Sequence, residues 1–291
     1  MFFGSIPALV TPFSGGRVAE DTLREFVEWQ VAEGSNGLVP CGTTGESATL
    51  TAAELRRVIE VTVEAANGRV PVIAGCGSNN VAHAIENLRV AKEAGADAAL
   101  LVTGYYNRPN QAGILAAFQA FSEASALPIV VYNVPGRTVV DISVETLGEI
   151  AKLANVVAVK DATGNLGRVT AQRLACGDGF AQLSGNDETA LGFNAMGGVG
   201  CISVTANVAP RLCAEFQAAT RENRWEDALR LQDRLYPLHM AMFTDASPGP
   251  AKYALSRVRS GFPTELRLPM TEPSPASRRA VDEALEHAGL I

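Results

Sequence analysis

Eight strand-like runs recur along this chain roughly every 20–35 residues, and a helical pattern separates each from the next. They are Ile6–Thr11, Gly37–Pro40, Val70–Ala74, Ala98–Val102, Pro128–Tyr132, Val156–Lys160, Phe180–Leu183 and Gly200–Val204. Short continuous apolar runs read as strands covered on both faces, as in a parallel sheet. Eight such strands alternating with helices predict an α/β fold, a (β/α)8 TIM barrel, rather than an open doubly wound sheet. An open nucleotide-binding sheet is expected to leave its first strand through G-x-G-x-x-G. Gly75-Cys76-Gly77 is the nearest approach and lacks the third glycine, and P-loop spacing is absent.

The helix signals agree with this reading. Leu23, Phe26, Val27 and Val31 share one face ahead of a stop at Gly34. Thr51-Ala52-Ala53-Glu54 has capping-box spacing and leads into Leu55, Val58 and Ile59, with a stop near Gly68. A third helix carries Ile85, Leu88 and Ala91 and ends at Gly95. From about residue 208 the strands cease, and helices are expected over Arg211–Thr220, Trp225–Met242, Pro250–Val258 and Pro275–His287. That is more chain than one barrel helix needs. The expected organisation is a catalytic barrel over residues 1–222 and a C-terminal helical region over residues 223–291. No low-complexity linker separates them, so the second should pack on the first.

Composition removes several classes of function. The chain has 291 residues, 47% of them hydrophobic, and a net charge of −7 without a basic block, so no nucleic-acid face is expected. No apolar run reaches the roughly 18 residues of a membrane span, and no basic n-region opens the chain. Cys41, Cys76, Cys176, Cys201 and Cys213 are scattered and contain no CxxC, which suits free thiols and a cytoplasmic location. His83, His239 and His287 are far apart, so no metal site is expected.

In a barrel, chemistry gathers at the carboxyl ends of several strands. Lys160 ends the sixth run, where a partly desolvated amine is expected to deprotonate more readily and can attack a ketone to form a Schiff base. Taken alone, it reads first as a surface lysine that merely closes a strand. After the second run, Gly42-Thr43-Thr44-Gly45-Glu46 offers hydroxyls and backbone N–H groups to a carboxylate, or else simply caps a helix. Tyr105 and Tyr106 follow the fourth run, in a position that suits packing or an interface. Tyr132 ends the fifth, and Arg137, a residue type whose fork suits a carboxylate, follows five positions later. A lysine, a tyrosine, two threonine hydroxyls and an arginine at one barrel mouth suit Schiff-base chemistry on an oxo-acid, with hydroxyls relaying protons.

These stretches carry a resemblance. Gly42-Thr43-Thr44-Gly45-Glu46, Tyr105-Tyr106-Asn107-Arg108-Pro109, Tyr132-Asn133-Val134-Pro135-Gly136-Arg137-Thr138 and Lys160-Asp161-Ala162-Thr163-Gly164-Asn165 resemble the 4-hydroxy-tetrahydrodipicolinate (dihydrodipicolinate) synthase family. So do Ser203-Val204-Thr205-Ala206-Asn207 and Leu266-Arg267-Leu268-Pro269-Met270, so the likeness covers nearly the whole chain. The family belongs to lysine and diaminopimelate biosynthesis and condenses pyruvate with L-aspartate 4-semialdehyde. The resemblance implies that Lys160 is the Schiff-base lysine and Tyr132 the main proton donor and acceptor. Thr43 would complete the relay with Tyr106, the latter supplied by a neighbouring subunit. Thr44 and the backbone of Ile202 would contact pyruvate, Gly185 would join the substrate-binding residues, and Arg137 would hold the semialdehyde carboxylate. It further implies a homotetramer built as a dimer of dimers, with no metal or organic cofactor.

Two rival functions share parts of this set. N-acetylneuraminate lyases and 2-keto-3-deoxy-sugar acid aldolases have the lysine, the tyrosine and the threonine turn but generally lack an arginine at the position of Arg137. A non-catalytic oxo-acid-binding barrel would not need the Lys160–Tyr132–Thr43 set. The resemblance also marks a regulatory lysine cleft at Ser47, Ala48, Asn79, His83 and Tyr105. His83 stands there in place of the usual glutamate, and Ala52 and Leu55 replace histidines seen in some inhibited members. Losing a carboxylate opposite an ammonium removes a charge-assisted hydrogen bond, so weak or absent lysine feedback is expected. Asp161, where glutamate is commoner, is a conservative change.

Overall fold

Nine strands appear in a computed structural model that describes residues 2–291. They are β1 (Gly4–Pro7), β2 (Phe13–Ser14), β3 (Arg17–Val18), β4 (Ile73–Gly75), β5 (Ala98–Val102), β6 (Ile129–Asn133), β7 (Val156–Asp161), β8 (Ala181–Ser184) and β9 (Gly200–Ser203). Strands β2 and β3 form a small antiparallel hairpin. The other seven pair in parallel, in the order β1-β9-β8-β7-β6-β5-β4.

The ring closes through the run expected over Gly37–Pro40, which forms paired backbone rather than a continuous strand. Ala8 bridges Val39 and Leu38 bridges Val72, both in parallel. The Val39 N–H donates to the Pro7 carbonyl at 2.9 Å, and the Ile73 N–H donates to the Leu38 carbonyl at 2.8 Å. Pro7, Pro40 and Pro71 lie along this seam, and each removes a ladder donor. The same chemistry shifts two expected boundaries. The first strand ends at Pro7 instead of Thr11, because Val10 gives its N–H to Asn207 Oδ1 at 2.9 Å and Thr11 gives its hydroxyl to the Gly45 carbonyl. The third begins at Ile73 instead of Val70.

Period-two alternation along the strands divides the core into two layers. Ile6, Ala8, Val39, Ile73, Ala98, Leu100, Val130, Ala158, Leu183 and Ile202 fill the barrel interior. Leu38, Val72, Ala99, Leu101, Val131 and Val159 face outward onto the helices. Burying a Leu, Ile or Val side chain fully is worth about 1.5–3 kcal/mol, which sets the register of each strand.

The helices form where their caps predict. Thr51 and Glu54 make both halves of a capping box at the start of helix Ala52–Ala66. Gly34 takes φ +98° after helix Glu20–Ala32, a left-handed stop that costs glycine little. Helix Pro210–Arg221 follows β9 as the last crossover-like helix. Helices Trp225–Ala241, Gly249–Val258 and Pro275–Ala288 lie beyond it. They share one continuous core with the barrel's helices, and Phe262 meets Phe26 edge-on at 5.3 Å between ring centroids. None of the described helices is long and apolar enough to cross a membrane. The five cysteines are free, and burial pushes the Cys76 thiol up to about 12.

Candidate active site

Tyr132 and Lys160 are direct partners across the β6–β7 ladder. Each lies two residues beyond an inward-facing neighbour, Val130 and Ala158, so both side chains enter the barrel at its carboxyl end. Lys160 Nζ lies 4.2 Å from the centroid of the Tyr132 ring, within cation–π range. Lys160 is only 6% exposed, and no carboxylate among the described residues pairs with it. The adjacent Asp161 turns the other way and binds Thr163, Arg168 and Gln172. Ile202 lies buried in the same interior, on β9. Gly185 donates its N–H to the Asp161 carbonyl at 2.7 Å, and a Cβ there would come within 2.7 Å of the Ala162 Cβ. Only glycine lets the β8 exit approach the end of the lysine strand this closely.

The turn after the second run is built as a cradle. Gly45 N–H donates to the Gly42 carbonyl and Glu46 N–H to the Thr43 carbonyl, both at 3.1 Å. Among the described residues, no acceptor takes the N–H of Thr43 or Thr44. Thr44 is buried and Thr43 exposed. Glu46 leaves the turn in a left-handed conformation, φ +54°, and its carboxylate is fixed deep in the protein. Lys252 Nζ donates to Glu46 Oε1 at 2.6 Å, and the Arg267 N–H donates to Oε2 at 3.0 Å. Burial pulls the Lys252 amine down, and the Glu46 carboxylate pushes it back up. Sequence reasoning passed over this pair. Its one visible signal is a lysine set in the run Ala251-Lys252-Tyr253-Ala254-Leu255.

A cavity of about 710 Å³ opens beside the turn. Thr43, Val102, Val134 and Arg137 line it together with Ser47, Ala48, Leu55, His83 and Tyr105. Lys160 and Tyr132 do not line it, and both are buried. Arg137, on the single-turn helix Pro135–Thr138, is exposed and has no ion pair among the described residues. Asn79 does not line the cavity; its carbonyl accepts from Asn107 Nδ2 at 2.8 Å. Glu86, one helical turn after His83, does line it and was missed. Ser247, Pro248, Pro269 and Met270 extend the wall from the C-terminal region, which sequence reasoning had not linked to the mouth. Tyr106 stands apart, 92% exposed with φ +68°, on a loop that Asn107 pins.

A buried strand-end amine stacked on a tyrosine, with open amides on a neighbouring turn, defines a class: barrels arranged for carbonyl chemistry at a lysine. The Dihydrodipicolinate synthetase family profile matches residues 1–288. A 4-hydroxy-tetrahydrodipicolinate synthase of Rhizorhabdus wittichii is 63% identical over 290 residues, with both chains covered in full. Among solved structures, the chloride-inhibited dihydrodipicolinate synthase from Acinetobacter baumannii, complexed with pyruvate, is 42% identical with a TM-score of 0.97 and full coverage of both chains. Another, described as the first monomeric dihydrodipicolinate synthase variant, is 36% identical with a TM-score of 0.96, covering 100% of this chain and 98% of its own. The chain belongs to the dihydrodipicolinate synthetase family. The barrel, the family and the synthase function expected from the motifs all agree with these findings.

Proposed function

We propose that the protein condenses pyruvate with L-aspartate 4-semialdehyde through a Schiff base on Lys160. The observation that carries this reading is the buried Lys160 amine stacked on Tyr132, its register partner. Lys160 Nζ attacks the pyruvate ketone, and the carbinolamine loses water to give an imine. Loss of a methyl proton gives the enamine, whose carbon attacks the aldehyde of the second substrate. The semialdehyde's own amine then adds to the imine carbon, freeing Lys160 and closing the ring. Tyr132, with Thr43, carries the protons. Thr44 and the open amides of the turn receive the pyruvate carboxylate, with Ile202 and Gly185 shaping the site.

Arg137 favours this reading over a sugar-acid aldolase, because an unpaired guanidinium at the mouth suits a second carboxylate. Tyr106 reaches the site of a neighbouring subunit in a homotetramer, a role supported by its exposure and pinned loop. The cavity wall supports weak feedback by lysine: His83 offers no carboxylate to an ammonium, and Glu86 already pairs with Arg89. Assay with L-lysine at sub-millimolar concentration should show no inhibition.

The test is chemical. The protein is incubated with pyruvate and reduced with borohydride, and the modified peptide is mapped. An adduct on Lys160 is expected; an adduct elsewhere, or none, refutes the mechanism. Turnover of aspartate semialdehyde, set against N-acetylneuraminate and 2-keto-3-deoxygluconate, then decides the substrate.

A further inference from the structure

The residues that follow Tyr132 and Lys160 are tied to one another behind the site. Asn133 and Asp161 are register partners, and the Ala162 N–H donates to the Asn133 carbonyl at 2.9 Å. Their side chains point outward, away from the barrel interior, and end in a single network. Asp161 Oδ1 accepts from the Thr163 N–H at 2.8 Å and the Thr163 hydroxyl at 2.7 Å. Its Oδ2 accepts from Gln172 Nε2 at 2.6 Å and Arg168 Nε at 3.3 Å. On the other side, Asn133 Nδ2 donates to Asp141 Oδ1 at 2.8 Å, and Asn133 Oδ1 accepts the Ile142 N–H at 3.2 Å.

Arg168 closes the circuit. Its Nη2 donates to the Ile142 carbonyl at 2.7 Å, and its Nη1 reaches Asp141 Oδ2 at 3.5 Å. The side chain is 11% exposed, and Asp161 is almost wholly buried. A guanidinium can hold several fixed acceptors at once, which a point-charge ammonium cannot. Among the described residues, the hydrogen-bonded route between these two side chains passes through Arg168.

We propose that Arg168 is a positioning residue: by holding Asp161 and the Asp141–Ile142 segment together, it fixes Lys160 against Tyr132 from behind. It touches no substrate. The proposal rests on the Schiff-base reading of Lys160. A misplacement near 1 Å in reacting groups can cost on the order of 100-fold in rate. Loss of this brace therefore lowers the rate of imine formation and leaves the pyruvate-binding turn untouched.

The test compares wild type, Arg168→Met, Arg168→Lys and Asp141→Asn for single-turnover imine formation, trapped by borohydride, on the folded fraction of each. Arg168→Met is expected to slow imine formation about 10- to 100-fold with pyruvate KM changed less than about threefold. Arg168→Lys should recover part of the rate. Asp141→Asn removes a charge from a half-exposed position and should give a smaller loss in the same direction; it carries the test should Arg168→Met not fold. Imine formation within twofold of wild type in the folded Arg168 or Asp141 variants overturns the positioning role. So does a fall in melting temperature without a change in rate. If the wild type itself forms no Lys160 adduct, the Schiff-base reading falls and takes this inference with it.

Discussion

Replacing Lys252 by methionine should destabilise the fold and weaken pyruvate binding together. Lys252 is fully buried, with Nζ 2.6 Å from Glu46 Oε1, 2.7 Å from the Glu265 carbonyl and 4.4 Å from the centroid of the Phe13 ring. Methionine fills similar space but leaves Glu46, 5% exposed, with only the Arg267 N–H. Removing one partner of a buried ion pair costs about 3–5 kcal/mol. At roughly 2 °C per kcal/mol for a chain of this size, the melting midpoint should fall by about 6–10 °C. Glu46→Gln alone strands the ammonium and should cost a similar amount. The double variant removes both charges and keeps an acceptor for Arg267, so it should return to within about 1 kcal/mol of wild type. Denaturant titrations of all four proteins give the coupling directly, and pyruvate KM follows the turn. KM should rise several-fold in the single variants and recover in part in the double. Single losses that add within about 0.5 kcal/mol in the double variant refute the clamp.

Tyr132→Phe keeps the ring over Lys160 and removes the hydroxyl, so kcat should fall about 10²- to 10⁴-fold while the borohydride adduct still forms slowly. Arg137→Met should raise KM for the semialdehyde by about 10- to 100-fold, the worth of a charged hydrogen-bond pair, and leave pyruvate KM unchanged in steady-state kinetics. Hydrogen bonding to Arg267 holds the Glu54 carboxyl at about 2 instead of 4.5. A depressed folded-state value contributes stability that is whole above pH 4.5 and lost as pH falls towards 2. Glu54→Gln should flatten the unfolding free energy across that window.

Much of this architecture can be read from local chemistry. Apolar runs ending in Tyr132 and Lys160 already put both residues at the carboxyl ends of the fifth and sixth runs, which form β6 and β7, because period-two burial fixes which way a strand residue points. The capping box at Thr51 and the stop at Gly34 follow from backbone rules that act within four residues. What stayed hidden depends on distant partners. Glu46 and Lys252 lie 206 residues apart, and a glutamate in a threonine turn looks like any helix-capping acid until its cation is known. The second barrel strand weakened to bridges because prolines on both sides of the seam remove donors, an effect that pattern reading of Gly37–Pro40 does not weigh. Tyr106 is a different case, since it is 92% exposed and does not line the cavity.

The division between inward and outward residues explains how one barrel end serves two opposing demands. A reactive amine needs a dry, shaped interior, and a dry interior offers few groups that can hold a flexible lysine side chain. Alternation along β6 and β7 resolves the conflict residue by residue. Tyr132 and Lys160 point inward, among apolar neighbours, while Asn133 and Asp161, one step on, point outward to polar partners. The charges of this network are thereby kept on the far side of the sheet from the Lys160 amine. Asp161 accepts four hydrogen bonds from the outward network and makes no ion pair with the Lys160 amine. Swapping the two residues, as Lys160→Asp with Asp161→Lys, preserves composition and destroys both arrangements. It should abolish the adduct and leave an unpaired ammonium against Arg168.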